Sequence, residues 1–435
     1  NGITADVWME AGVSVSGLGN NMASFYREKD PRGEVALVLG AGNLNCIAPY
    51  DALYRLYAQG QVVLLKMNPV NDYLMPFLTK IFEPLLSEGF LQIASGGPDV
   101  GHALVFHDAV EAIHLTGSAQ TFDAIVFGTG AEGENRKREK RPLLNKPITG
   151  ETGGVSPLVI LPGRWSKADI RFQAENAVSM KLHNSGFNCV AAQVLVLPDQ
   201  WDQKEEFLEA IRNVFRELPA RSAWYPGAAE RQMEAVSRYP SAEIYQNDLS
   251  RIFITDIAPD RENESAFSSE FFGPVLAQTS LPGRLASEYL TNAVRFCNER
   301  LTGSLGATLI AHPATIRKLG PALEEAIAGL RYGSIGVNVW TATTFLLPQA
   351  PWAPWRGSGV THNTFLFDSA EKSVCYGSFF PFPRGLWHRS FSLMPKPPWF
   401  VANKTAHLTG ERMTRFAINP GWRHLPGIIW AAVRG

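Results

Sequence analysis

Along the first third of the chain, short continuous apolar runs alternate with stretches of helical period. Val35–Leu39 (VALVL) reads as a buried strand, broken by the small polar turn GAGN at residues 40–43. Residues 50–57 keep a helical pattern, and Val62–Lys66 (VVLLK) is a second buried strand. Strand, turn, helix, strand is a βαβ unit, which predicts a parallel sheet covered by helices, with ligands at the carboxyl ends of its strands. The alternation continues with a helix over 75–88, a lead through 101–106 into another strand, and a strand over 112–115 that ends in the turn Thr116, Gly117, Ser118. Residues 129–142 (TGAEGENRKREKRP) interrupt it. Glu132, Glu134 and Glu139 are interleaved with the cations there, so the stretch predicts a solvated surface loop and not a nucleic-acid patch.

A second series opens with 150–161 (GETGGVSPLVIL), which ends in a strand, and continues with a helix over 168–182. The run Val194, Leu195, Val196, Leu197 has the β-branched content of a buried strand. Residues 204–218 place Phe207, Leu208, Ile211, Val214, Phe215 and Leu218 on one stripe, which predicts a scaffold helix packed on a sheet. Turn-like stretches follow at 268–276 (SSEFFGPVL) and 332–340 (YGSIGVNVW).

Composition narrows the function classes. With 435 residues, 45% hydrophobic, 19% charged and a net charge of −1, the chain is long enough for two or three domains and offers nothing to nucleic acid. Its four cysteines, Cys46, Cys189, Cys297 and Cys375, form neither a CxxC pair nor a disulfide framework, which suits a reducing, cytoplasmic compartment. The histidines are scattered and HExxH is absent, so no protein-built metal site is expected. No apolar run reaches the length of a membrane span. The last 55 residues differ: 381–435 hold eight Lys/Arg against the single acid Glu411, with tryptophans at 387, 399, 422 and 430. Three roles are open to this extension, namely contact with an anionic membrane surface, a roof over a substrate channel, or a subunit interface.

The candidate chemistry centres on HNSGFNCVAAQVLVLP, His183 to Pro198, where Cys189 stands at the entrance of a strand. A cysteine beside small residues is by itself ordinary packing. Other stretches change that reading: Glu151 followed by Thr152, Gly153, Gly154, Val155, Ser156 and Pro157; Asn184 and Gly186 five and three residues before Cys189; Glu270, Phe271, Phe272, Gly273, Pro274; and Asn43 with Lys66 downstream. Together and in this order they resemble the aldehyde dehydrogenase superfamily, from about residue 35 to about residue 380.

The resemblance implies an α/β fold: a Rossmann-type, parallel-sheet dinucleotide-binding domain (35–153) and a second α/β catalytic domain carrying the cysteine (154–352). A remnant (1–34), read as a helix or lead-in, precedes them, and a return segment (353–380) and the extension (381–435) follow. It implies oxidation of a small-molecule aldehyde to a carboxylic acid with NAD or NADP, by a homo-oligomer. Cys189 would be the nucleophile, and Glu151 the base that activates water against a thioester. Asn43 and the Cys189 backbone N–H would be the oxyanion donors. Lys66 and Glu270 would hold the two riboses, Gly117 and Ser118 the pyrophosphate, and Phe272 would join them in binding the cofactor. Losing one oxyanion donor typically costs about 2.7–4 kcal/mol of barrier, so Asn43→Ala is expected to slow turnover roughly 100- to 1000-fold with a smaller change in cofactor binding, as steady-state kinetics would read.

Asn338 falls where the family keeps an asparagine near the pocket, and a structural turn reads equally well. Phe187 and Trp340 hint at an apolar aldehyde. The chain also departs from the family pattern: Pro69 replaces a glutamate common in NAD-preferring members, Phe122 replaces a glycine, and only 42 residues precede Asn43. Two alternatives follow from these features. One is a CoA-acylating or acyl-phosphate reductase, against which Glu151 speaks; the other is a catalytically silent nucleotide-binding homologue.

Overall fold

The computed structural model describes residues 3–246, 249–347, 349–355, 369–377, 391–393 and 395–435. Two sheets organise them. The first holds β2 (Val35–Leu39), β3 (Val62–Lys66), β4 (Leu91–Ala94), β5 (Ala112–Gly117) and β6 (Ile148–Thr152), all parallel, in the order β4-β3-β2-β5-β6. The strand order reverses direction between β2 and β5, and the crevice above such a switch point is where open α/β sheets bind ligands. Leu37, Leu39, Ile113 and Leu115 feed one apolar cluster on this sheet, while Val38, Val63 and Leu65 feed the other. Burial on both faces explains why these strands read as continuous apolar runs.

The second sheet has nine strands in the order β1-β14-β13-β12-β7-β8-β11-β10-β9. Its central strands β7 (Ser156–Ile160), β8 (Ala192–Pro198), β11 (Val275–Leu281), β12 (Gly306–Ile310) and β13 (Ser334–Val337) run parallel to their neighbours. β10 (Ile252–Ile257) is parallel to β11, and the short β9 (Glu243–Ile244) closes that edge antiparallel. The predicted scaffold helix is Lys204–Glu217, and it buries Phe207, Leu208, Ile211, Val214 and Phe215. Each such side chain removed from water contributes about 1.5–3 kcal/mol.

Three expectations are corrected. Residues 1–34 are not a helix remnant: β1 (Thr4–Met9) pairs antiparallel with β14 (Ala370–Tyr376) and belongs to the larger sheet, so the segment read as a return (353–380) supplies a sheet strand. Residues 101–106 are not a lead into a strand but part of the helix Pro98–Val105, started by a proline in its first turn, and the strand is β4, just before it. The stretch 129–142 contains the helix Gly130–Arg138, exposed as expected but ordered by the Glu132–Arg136 pair one turn apart and by Arg136 Nη1 donating to the Phe127 carbonyl at 3.0 Å.

The described part of the extension packs on the second domain. Gln173 donates to the Phe391 carbonyl at 2.9 Å, Val401 N–H donates to Ser179 Oγ at 3.0 Å, and Lys396 pairs with Glu175 at 2.9 Å. Residues 391–393 and 395–403 thus brace the helix Lys167–Leu182, which leads into the cysteine turn. Beyond them the helices Ala406–Ile418 and Leu425–Val433 form a hairpin that leaves Ile418, Trp422, Ile429 and Trp430 exposed. Residues 381–390 lie outside the described residues.

Candidate active site

The cysteine turn is built from strained backbone. Asn184, Ser185 and Gly186 are consecutive left-handed residues, with φ of 53°, 55° and 84°, a conformation that costs a non-glycine residue about 1–3 kcal/mol. Asparagine tolerates it best, and Asn184 is further held by its own amide, which donates to the Asn43 carbonyl at 3.0 Å and to the Phe187 carbonyl at 3.2 Å. At Gly186 any Cβ would lie 2.4 Å from the Gly273 carbonyl oxygen. This close approach explains the glycine three residues before the cysteine: it lets the turn pack on the Glu-Phe-Phe-Gly-Pro stretch. Cys189 emerges from the turn half-buried, three residues before β8.

Glu151 arrives from the other sheet, near the end of β6. Its Oε1 lies 4.0 Å from Cys189 Sγ, which can donate to it, and accepts the Trp352 indole N–H at 2.7 Å. Only 4% of the residue is exposed. Burial, then the nearby Asp51 carboxylate, pushes its carboxyl up to about 8, while the indole N–H pulls the other way. Burial likewise pushes the Cys189 thiol up, with Glu151 and Glu270 adding to it and the backbone N–H groups of Cys189 and Val190 opposing. Two groups this close titrate as a pair. The resting site therefore holds a neutral thiol beside a largely protonated carboxyl at neutral pH.

Asn43, in the turn after β2, donates one amide hydrogen to the Phe187 carbonyl at 3.0 Å. An amide carries two such hydrogens, so a second remains for another acceptor. Glu270 lies against Gly153, where a Cβ would meet its Oε2 at 2.7 Å. Burial pushes the Glu270 carboxyl up to about 8, and the Lys181 and Arg231 cations draw it back. Arg231 fixes the next turn, donating to the Phe271 and Phe272 carbonyls at 3.1 and 3.3 Å, with its guanidinium over the Phe272 ring.

Lys66 closes β3, and burial lowers its ammonium while Asp72 and Asp99 raise it. Gly117 closes β5, and Ser118 caps the helix Ala119–Phe127 by accepting from Thr121 N–H at 3.0 Å. Cys189, Glu151, Asn43 and Glu270 thus meet at one place, while Lys66, Gly117 and Ser118 line the carboxyl edge of the first sheet beside its switch point. Phe122 packs into the apolar cluster under that helix, away from the edge.

Two hints resolve differently. Asn338 spends its amide on Ala311, accepting from its N–H at 2.8 Å and donating to its carbonyl at 2.9 Å, with φ of 57°, which is a structural turn. Phe187 is buried in an aromatic group with Trp224, Tyr225 and Phe272, and Trp340 donates its indole N–H to the Val190 carbonyl. Sequence reasoning missed Trp352, Arg231 and Asp51. A polar Asp51 and Arg55, one turn apart on the helix Ile47–Gln59, and a histidine inside the strand AIHLTG were the available signals. Among the described residues no cluster of His, Cys, Asp and Glu could hold a metal ion, and no helix is long and apolar enough to cross a membrane.

The aldehyde dehydrogenase family model matches residues 9–245, more than half of the chain. N-succinylglutamate 5-semialdehyde dehydrogenase 1 of Caulobacter vibrioides is 32% identical over 307 residues, 66% of this chain and 58% of that protein. An aldehyde dehydrogenase of a Fusarium species is 29% identical over 168 residues, 39% of this chain and 32% of that protein. The chain thus spans from about a third to just over half the length of these relatives. The fold is shared with the NAD-dependent aldehyde dehydrogenase from Sinorhizobium meliloti (TM-score 0.59, 18% identity, 82% of this chain and 69% of that one). It is shared also with the Mycobacterium tuberculosis aldehyde dehydrogenase complexed with NAD+ (TM-score 0.58, 18% identity, 82% and 71%). Family match, shared fold and the motif residues gathered at one crevice lead to one conclusion: this chain belongs to the aldehyde dehydrogenase family.

Proposed function

We propose that the protein oxidises an aldehyde to a carboxylic acid with NAD or NADP through a thiohemiacetal and then a thioester on Cys189. The observation that carries this reading is the 4.0 Å approach of Cys189 Sγ to Glu151 Oε1, with Asn43 bonded to the same turn. Glu151, once ionised, takes the thiol proton as sulfur adds to the carbonyl carbon, and the new oxyanion is met by the Cys189 backbone N–H and the free Asn43 amide hydrogen. The bound dinucleotide supplies the hydride acceptor. After Glu151 has released its first proton, it takes one from water as that water attacks the thioester, and the acid leaves with the thiolate restored.

The polar set fits a dinucleotide: an ammonium at Lys66, a helix start at Ser118, and a carboxyl at Glu270 seated where Gly153 leaves room for it. Gly153→Ala would push that carboxyl aside, and overpacking of this kind costs about 1–3 kcal/mol. The expected result is a KM for the dinucleotide raised roughly tenfold or more, with kcat changed less, in steady-state kinetics. Pro69 itself brings no carboxylate to the adenosine ribose, whereas Asp72 and Asp99 lie close enough to act on Lys66, so both dinucleotides are candidates.

A base held against the cysteine favours hydrolysis over transfer to CoA, which has no use for activated water. Subunit association and a membrane or subunit contact through the exposed hairpin are readings of the same kind, the latter supported by Trp422 and Trp430 among basic residues. The deciding experiment is dinucleotide reduction with short, long-chain and aromatic aldehydes, with product analysis in the presence and absence of CoA. Free acid as the product supports the reading; an acyl-CoA, or no reduction by folded protein that binds dinucleotide, overturns it.

A further inference from the structure

The two C-terminal helices carry more apolar surface than they bury. The short turn Trp422–His424 runs straight into the helix Leu425–Val433, so Trp422, Ile429 and Val433, seven and four residues apart, fall on one stripe with Trp430 beside it. That stripe is open: Trp422 is 87% exposed and Trp430 63%, and Ile429 and Val433 are exposed with them. Of this helix only Ala431 is buried, and of its partner Ala406–Ile418 only Thr409. The pair is joined by polar contacts, with Thr405 Oγ1 donating to the Ala431 carbonyl at 2.7 Å and the Arg412 guanidinium donating to the Gly427 carbonyl. A helix this short gains little from propensity alone, and an apolar stripe left open on it marks a contact surface.

Charge decides what that surface fits. Residues 404–435 carry five Lys/Arg and the single acid Glu411, whereas the rest of the chain carries thirty-five against forty acids, so a net +4 is set on a body of −5. Glu411 is taken up by Arg415 at 2.5 Å, and among the described residues Lys404, Arg423 and Arg434 pair with no acid. Arg423 follows Trp422 directly, and the Arg434 guanidinium lies over the Trp430 ring at 5.7 Å, so each exposed indole has a cation next to it. This pairing suits the boundary between acyl chains and anionic headgroups, where the ring enters the apolar layer and the cation stays among the phosphates. A second copy of the chain fits less well, because a two-fold interface sets a patch against itself and would bring cations against cations. The helix Leu425–Val433, about 14 Å long, is too short to cross a hydrocarbon core of about 30 Å, so the contact runs along the surface.

We propose, resting on the reading of the exposed hairpin as a contact surface, that its partner is an anionic membrane: Trp422, Ile429, Trp430 and Val433 enter the headgroup layer while Lys404, Arg423 and Arg434 meet lipid phosphates. The hairpin follows directly on residues 395–403, which bond the helix Lys167–Leu182 through Val401 and Lys396. A docked hairpin therefore holds the catalytic domain at the bilayer through the helix that ends at the cysteine turn. Binding of this kind is independent of the chemistry at Cys189.

The test needs neither aldehyde nor dinucleotide. The full chain is sedimented with vesicles of phosphatidylcholine alone and with vesicles of equal parts phosphatidylcholine and phosphatidylglycerol, at low and high salt. Two double variants run beside it, Trp422→Ala with Trp430→Ala and Arg423→Gln with Arg434→Gln. The expected result is a partition coefficient roughly tenfold or more higher on the anionic vesicles, falling as salt is raised, and lowered roughly tenfold in each double variant. All four side chains are exposed, so melting temperature should stay near that of the parent chain. If the tryptophan variant does not fold, the arginine variant is read the same way. Equal partition onto the two vesicles, recovery with neither, or binding unchanged in both folded variants overturns the proposal. So does a lipid-free dimer, seen by sedimentation velocity, that the tryptophan variant separates into monomers, since the hairpin face would then belong to a second copy. Absence of dehydrogenase activity would sink the reaction proposed above, whereas vesicle binding reads the hairpin alone.

Discussion

Cys189→Ala is expected to lower kcat/KM for aldehyde oxidation by roughly 10⁴- to 10⁶-fold, the scale on which removing a covalent nucleophile acts. The loss is confined to chemistry. Cys189 is half-buried at the end of a turn whose shape depends on Asn184, Gly186 and the Phe187 carbonyl, none of which its sulfur holds in place. Melting temperature and dinucleotide affinity should stay near those of the parent chain. Calorimetry and a binding titration, run beside the kinetics, separate this outcome from a folding defect, which would lower all three together.

Glu151→Gln is the second large effect. Glutamine keeps an acceptor for the Trp352 indole N–H at the position now 2.7 Å away, but it cannot take a proton from water. Turnover should fall roughly 10²- to 10⁴-fold, with acylation slowed by the missing base, hydrolysis slowed further, and acylated Cys189 accumulating after no more than one equivalent of dinucleotide is reduced. The pH profile carries the same signature. A base works only when ionised, and the Glu151 carboxyl is pushed up to about 8, so kcat in the parent chain should rise through the neutral range and level above that value. Glu151→Gln should remove this limb.

Stability runs the opposite way. The folded chain keeps a proton on Glu151 that the unfolded chain releases near 4.5, so that contribution is whole below about 4.5 and is lost as pH rises through 8. The glutamine variant should therefore gain in melting temperature relative to the parent chain as the medium is made alkaline.

Much of this was legible from residue pattern. The runs at 35–39 and 62–66 became adjacent parallel strands in register because strands buried on both faces are apolar at every position. The four motifs converged because each sits at a strand end or a tight turn, where glycines at 153 and 186 mark places that admit no Cβ. What the pattern did not carry is long-range. β1 joins a strand more than 360 residues away, and no local property of TADVWM says which edge it will extend. The helix 130–138 has almost no apolar stripe and is held by ion pairs and by the end of the preceding helix, which periodicity cannot see. Trp352 and Asp51 act on Glu151 from distant parts of the chain, and their relevance appears only once β6 and the helix Ile47–Gln59 are packed together.

The central claim is that a thioester forms on Cys189 and that Glu151 is needed to clear it. The most direct measurement is mass spectrometry of Glu151→Gln after mixing with an aldehyde and NAD+ or NADP+, with the adduct mapped to its peptide. One acyl group per chain is expected on the peptide carrying Cys189, formed only when the dinucleotide is present. An unmodified Cys189 in protein that has consumed dinucleotide, or an acyl group on Cys46 instead, would contradict it.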